Sequence, residues 1–217
     1  DAKPIGTYED LEAFLNRADE LALSLLDEGI TAMKIWPFDI AAERTHGLDI
    51  SAAELKTALE PFEKIRKSVG DRMDIMVEFH SLWRLPAAQR IARALKPYDT
   101  YCASETLAYP HAFRDYLATG VAGVAMLDLS WCGGLSEARK IAGMAEAQQI
   151  PVAPHDCTGP VVFMASCQFS LHARNALIQE SVRALYTGWY TEVVDALPIV
   201  GDGQITLPDT PGLGIEL

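Results

Sequence analysis

Apolar positions recur at helical spacing in one stretch after another, and short, nearly continuous apolar runs lie between those stretches. In "TYEDLEAFLNRADELALSLLDEG", Leu11, Phe14, Leu15, Ala18, Leu21, Ala22 and Leu25 share one helical face. Thr7 reads as its N-cap with Asp10 three residues on, and Gly29 closes it. "SAAELKTALEPFEKIRKSVG" predicts a second helix, with Ser51 as cap and Glu54 at the capping-box position. "LPAAQRIARALKPYD" predicts a third, with Pro86 in its first turn. "PHAFRDYLATG", "LSEARKIAGMAEAQQ" and "GPVVFMASCQFSLHARN" follow as helices. The apolar runs "TAMKIW", "DIMVEFH", "TYCASET", "GVAMLDLS", "PVAPHD" and "ALIQES" read as strands.

Strands that alternate with helices and stay apolar throughout belong to a parallel sheet covered on both faces. Neither GxGxxG nor GxxxxGK[ST] is present, so a dinucleotide or P-loop fold is not indicated. A βα barrel is the first choice. In such barrels chemistry sits where strands end, and there the polar residues fall: Lys34, Glu78 with His80, Glu105, Asp128, His155 and Glu180. Unpaired charge is costly to bury, so this concentration reads as a site. Strand alternation would put Glu78 and His80 on the same side.

Composition narrows the partners. The 217 residues are 49% hydrophobic, enough for one good-sized core, and carry a net charge of −12. That charge argues against a nucleic-acid binder or a polybasic membrane anchor. The longest apolar stretches are too short to span a bilayer, and "DAKPIGTYEDL" lacks the features of a signal peptide. Cys102, Cys132, Cys157 and Cys167 form no CxxC pair and read as reduced thiols of a cytoplasmic protein.

From about Tyr8 onward the sequence resembles the enolase superfamily, specifically the mandelate-racemase-like acid-sugar dehydratases, including the galactonate dehydratases. The resemblance rests on "GITAMKIW", "VEFHSLW", "CASET", "LDLSWCGGLSEARKIAGMAEA", "PVAPHDCTGPV" and "ALIQES", which are similar to the second, third, fifth, sixth, seventh and eighth strand segments. It implies an α/β fold, a TIM-like (β/α)7β barrel domain over residues 1–217. The closing segment 203–217 would return toward an N-terminal capping domain. Relatives of this kind carry a second metal-binding Glu on the fourth strand within Glu-Asp-Pro or Glu-Glu-Pro, and no such motif occurs here. The fourth βα unit is therefore expected to be missing near Tyr101–Cys102, and the first strand and capping domain before Asp1. A genuine deletion is the alternative, but it would leave unpaired strand edges.

The resemblance also implies chemistry. Removing a proton beside a carboxylate makes an enediolate that needs strong charge neutralisation, supplied in such sites by Mg²⁺. Glu78 and Glu105 are the implied Mg²⁺ ligands; Glu78 stands where relatives usually have Asp, and an ion pair with Lys34 or Arg84 is its alternative. His155 is the implied general base and Asp128 its orienting partner. A Cys–His nucleophile using Cys157 is disfavoured, because that residue sits two positions away on a loop. His80 would protonate the departing hydroxyl, or else bond Glu78 or a carbonyl. Glu180, if protonated, would hydrogen-bond the substrate carboxylate, or else it would pair with Arg183, and Lys34 would add positive charge or pair with the acidic ligands. Trp36 replaces the second Lys of a Lys-x-Lys pattern; an indole cannot act as a base, so dehydration is favoured over racemisation. Trp36 is instead a candidate substrate-stacking wall, or packing.

The expected function is a hydro-lyase converting a sugar acid to a 2-keto-3-deoxy acid. Alternatives are a racemase or epimerase of a hydroxy acid or amino-acid derivative, and a catalytically silent small-acid binder. A homo-oligomer, dimer or octamer, is expected.

Overall fold

The computed structural model describes residues 9–120 and 122–216, so Thr7, the expected first cap, lies outside the described residues. The chain divides into two compact units, Asp10–Ala103 and a second from Ser104 onward.

The first unit runs α1 (Asp10–Asn16), α2 (Ala18–Asp27), β1 (Ala32–Ile35), α3 (Asp39–Thr45), α4 (Ala52–Val69), β2 (Asp74–Val77), α5 (Leu85–Leu95) and β3 (Thr100–Cys102). Its strands make one parallel sheet ordered β1-β2-β3, with Ile35 opposite Val77 and Val77 opposite Cys102. Met33, Ile35, Ile75 and Val77 are buried with Phe38, Phe62, Ile65 and Ile91 in one apolar cluster. Strand alternation sends Lys34 and Met76 to the opposite face.

The second predicted helix forms as expected. The Ser51 hydroxyl accepts the Glu54 amide at 3.2 Å, and Glu54 accepts the Ser51 amide at 2.8 Å. Arg44 forks onto the same carboxylate, and these bonds from Arg44 and Ser51 hold the Glu54 carboxyl down at about 2. The first predicted helix is instead divided at Arg17, whose φ of −131° leaves the helical region. No glycine or proline explains that break. Helix α3 was not predicted: it has seven residues and buries only Ala41 and Ala42, too few to generate a periodic signal.

The second unit runs α6 (Tyr109–Ala118), β4 (Ala125–Leu127), α7 (Leu135–Ala147), β5 (Val152–Pro154), α8 (Pro160–His172), α9 (Arg183–Tyr186), β6 (Ile199–Gly201) and β7 (Gln204–Thr206). β4 and β5 are buried along their length and pair in parallel, Leu127 opposite Pro154. Phe113, Leu117, Ile141, Ala145 and Phe169 pack with them. β6 and β7 form an antiparallel hairpin turning at Asp202 and Gly203, both at positive φ (52° and 69°), as a tight hairpin loop requires.

The strand expected at "ALIQES" is reduced to one parallel bridge, Val152 to Ala176. Pro154 has no N–H to extend the ladder, and the Gln179 side chain donates to the Pro154 carbonyl at 3.3 Å. The same carbonyl also accepts the Glu180 backbone amide at 3.2 Å, so a single backbone bond remains there.

Buried Asp156 ties this unit together. Its carboxylate accepts the Tyr190 hydroxyl at 3.0 Å and the Val182 amide at 3.2 Å, while the Tyr190 oxygen accepts the Gly159 amide at 3.3 Å. Burial outweighs these bonds and pushes the Asp156 carboxyl up to about 7. Cys132 and Cys167 are free and buried, and burial pushes their thiols up to about 11 and about 12. Cys157 is exposed.

Two outcomes are expected. Ser51→Ala removes one half of the capping box and costs about 1 kcal/mol, read as a lower urea midpoint with unchanged slope. Because the Asp156 carboxyl is raised, the folded state holds its proton more tightly than the unfolded chain does. Its ionisation therefore removes stability as pH climbs from the ordinary 3.8 through about 7. Urea titrations across that window should show a shallower decline for Asp156→Asn than for the wild type.

Candidate active site

In the first unit the side chains gather where β1 and β2 end. The ladder runs one rung past β2, the Glu78 amide donating to the Ile35 carbonyl at 3.1 Å. Glu78 thus lands on the same face as Lys34, and the Lys34 ammonium lies 3.7 Å from its Oε2 with both side chains buried. This is the ion pair weighed above as the alternative to metal binding; a cation beside a buried carboxylate is compatible with either role. The Glu78 Oε1 accepts the amides of Phe79 and His80 at 2.7 and 2.8 Å. The chain leaves the strand there in a turn with His80 and Ser81 at positive φ, 45° and 55°. Glu78 and His80 still share a side, with potential ligand atoms within 4.8 Å of each other, but this turn and not strand alternation brings them together, because the strand ends at Val77.

The His80 ring meets neither Glu78 nor a carbonyl but Asp39, in the first turn of α3, with Nδ1 to Oδ2 at 2.6 Å. The bond to Asp39 pushes the His80 imidazole up from its ordinary value, and partial burial opposes that shift. Trp36 presents an edge-on ring to His80, centroids 5.9 Å apart, and packs on Phe14 at 4.5 Å. Gly47 fixes the loop that follows: at φ +72° a Cβ there would lie 1.8 Å from the Leu82 carbonyl oxygen. The Gly47 carbonyl accepts the Arg84 amide at 2.9 Å, which closes the loop against the end of α3.

In the second unit the ladder again runs one rung on, the His155 amide donating to the Leu127 carbonyl at 2.8 Å. Asp128 and His155 thereby leave adjacent strand ends side by side. His155 Nδ1 lies 2.7 Å from Asp128 Oδ2, both residues buried. The other carboxylate oxygen accepts the Ser130 amide at 2.7 Å and the Trp131 amide at 3.2 Å. Burial works to raise the Asp128 carboxyl, but the bonds from His155 and Ser130 prevail and hold it below its ordinary value. On the far side of the imidazole, Nε2 lies 3.8 Å from Glu180 Oε2, and that oxygen accepts the Asp156 amide at 2.9 Å. Trp131, partly exposed, lies over the His155 ring at 5.2 Å between centroids and 31° between planes.

Glu105 is buried, 1% exposed. The preceding Ser104 donates to the Met126 carbonyl at 3.0 Å and accepts its amide at 3.1 Å, which anchors this segment to β4. Glu78 and Glu105 are thus both buried carboxylates, hard oxygen donors of the kind Mg²⁺ takes, and their chemistry fits that ion. The sequence missed Asp39 and Trp131. Asp39 follows Trp36 by three residues in an unpredicted helix, and Trp131 follows Asp128 by three on the next loop.

Comparison with known proteins agrees with this arrangement. The model of the family "Enolase C-terminal domain-like" matches residues 17–103 and 102–217. A D-xylonate dehydratase of Haloferax volcanii is 27% identical over 189 residues, covering 76% of this chain and 46% of the relative. A D-galactonate dehydratase of Xanthomonas campestris is 28% identical over 200 residues, covering 77% and 52%. The chain spans about half the length of these curated relatives. Among solved structures, an enolase of the mandelate racemase subgroup from Agrobacterium tumefaciens is 61% identical with a TM-score of 0.88, covering 93% of this chain and 62% of that one. An enolase protein from Sargasso Sea environmental sequencing is 43% identical with a TM-score of 0.87, covering 94% and 61%. With its whole length from Arg17 onward matched by the family model and its strand-end acids and imidazoles in place, the chain belongs to the enolase superfamily, as an enolase C-terminal domain-like protein.

Proposed function

We propose that the protein is a Mg²⁺-dependent dehydratase of a sugar acid. The observation that carries this reading is the buried Asp128–His155 pair, whose Nε2 lies near Glu180. Asp128 accepts the Nδ1 proton and so leaves a lone pair on Nε2, the arrangement a general base requires. In this reading Nε2 takes the proton from the carbon beside the substrate carboxylate. The electron pair left behind is delocalised onto the substrate carboxylate as an enediolate, and in a later step it forms the carbon–carbon double bond and expels the β-hydroxyl. His80 gives that hydroxyl a proton, so it departs as water, and the enol tautomerises to a 2-keto-3-deoxy acid. Glu180 would hydrogen-bond the substrate carboxylate, and Lys34 would contribute positive charge. Glu78 and Glu105 would hold Mg²⁺, which supplies when bound the positive charge that this proton removal needs. The activities of the relatives, a D-xylonate and a D-galactonate dehydratase, support the substrate class.

We further propose that the complete barrel has one more βα unit between β3 and Glu105, supplying a third acidic ligand. β3 pairs directly with β2, the place a fourth barrel strand takes. The family model matches in two pieces meeting at 102–103. The alignment to a D-gluconate dehydratase of Thermoproteus tenax runs over 237 residues, more than the 217 of this chain. Sequencing the gene across codons 101–105 tests this; an uninterrupted reading frame there would favour the deletion.

The test of function is α-proton exchange in deuterated water alongside water loss, over a panel of pentonates and hexonates. The wild type should do both, and chelation of divalent metal should stop both. His155→Ala should lose exchange by roughly 10²–10⁴-fold, the usual contribution of a positioned base. His80→Ala should lose elimination far more than exchange. Exchange without water loss in the wild type would point to an epimerase, and no exchange with any acid to a silent binder.

A further inference from the structure

We propose that Asp39 is the positioning residue of His80: its carboxylate accepts the Nδ1 proton and thereby presents Nε2 to the departing hydroxyl. The inference rests on the dehydratase reading for the role of His80, but its geometric content stands apart from it.

The bond joins residues 41 positions apart, at 2.6 Å, so it is built by the fold and not by local sequence. The ring it holds sits on strained backbone. His80 and Ser81 are consecutive non-glycine residues at positive φ, a conformation that costs on the order of 1 kcal/mol each and persists where surroundings enforce it. Three features enforce it here. The Glu78 Oε1 ties down the amides of Phe79 and His80, Gly47 admits the Leu82 carbonyl, and Trp36 closes against the ring edge.

Asp39 is also an expensive way to support a fold. Its Oδ1 is buried and has no hydrogen-bond partner among the described residues, and a buried carboxylate oxygen left without a donor loses its hydration uncompensated. A residue retained only for packing would do better as an apolar side chain of similar size. The whole hydrogen-bonding commitment of this carboxylate goes to one imidazole nitrogen.

The same relation holds between Asp128 and His155, where Nδ1 also faces a carboxylate. Each proposed proton-transfer imidazole thus has its own acidic partner, one in each unit.

The experiment uses full-length, Mg²⁺-loaded protein. With ¹⁵N-labelled histidine at a pH where the ring is neutral, His80 of the wild type should show the Nδ1–H tautomer. Asp39→Leu should shift it to the Nε2–H form that free imidazole prefers. In Asp39→Leu elimination should fall at least tenfold more than α-proton exchange, and Asp39→Glu should recover part of that difference. A wild-type ring in the Nε2–H form, or an equal fall of both activities in Asp39→Leu with the fold intact by circular dichroism, overturns the proposal. If Asp39→Leu fails to fold, Asp39→Glu carries the test alone: a tautomer and an exchange-to-elimination ratio matching the wild type support positioning, and an Nε2–H ring refutes it. Failure of the dehydratase reading is separable, because it appears as a wild type that exchanges no α-proton while the tautomer result still stands.

Discussion

A single rung of backbone ladder, from the His155 amide to the Leu127 carbonyl, decides where the chemistry of the second unit can occur. Parallel pairing at that register brings two strands to their ends together. The first side chains free of the sheet, Asp128 and His155, then have no choice but to meet. The first unit repeats the device: the Glu78 amide makes the extra rung to Ile35 and delivers its carboxylate beside Lys34. Parallel strands all point the same way, so each added strand contributes one more side chain to the same end of its sheet. This is why ionisable residues can accumulate there without being sequence neighbours.

Accumulating charge in a dry place is costly, and the structure shows how the cost is offset. Asp128 meets an imidazole, two hydroxyls and two amides, and the bonds from His155 and Ser130 outweigh the burial that would otherwise raise it. Asp156 meets a phenol and one amide, and burial wins. Two aspartates of one unit thus fall on opposite sides of the ordinary value because of how many donors each receives. The one with more donors stands next to the proposed base, where a permanent negative charge is needed to hold the tautomer.

What the sequence disclosed, and what it hid, follows from the range of the forces involved. The Ser51–Glu54 capping box joins residues three positions apart, so its pattern is written locally, whereas β1 and β2 bury alternate residues where the sequence read as apolar throughout. The Asp128–His155 pair was accessible by reasoning because two strand ends in a parallel sheet must be neighbours. Asp39 was hidden. Its helix is too short to announce itself, and its meeting with His80 depends on a turn at positive φ that no residue type there demands. The strand at "ALIQES" was over-read for a related reason: β propensity cannot register that Pro154 has no N–H to continue the ladder, which leaves one bridge and a few backbone bonds. The expected fold was a (β/α)7β barrel without its fourth βα unit, read from alternating strands and helices and from the resemblance. What the fold displays is a three-stranded parallel sheet in one unit and a parallel pair in the other.

The two imidazole–carboxylate pairs differ most in their access to water, and that difference suits the division of labour proposed for them. His155 and Asp128 are 5% and 0% exposed, whereas His80 and Asp39 are 37% and 25% exposed. A base that removes a carbon-bound proton gains from a dry, fixed surround, since water would have to reorganise as charge shifts. A group that donates a proton to a departing hydroxyl has the opposite need. Its product is water, and it must recover a proton from solvent before the next turnover. A ring one-third open to solvent beside a carboxylate can do that at every cycle. The wetter pair therefore suits the proposed role at the oxygen, and the drier one the proposed role at the carbon.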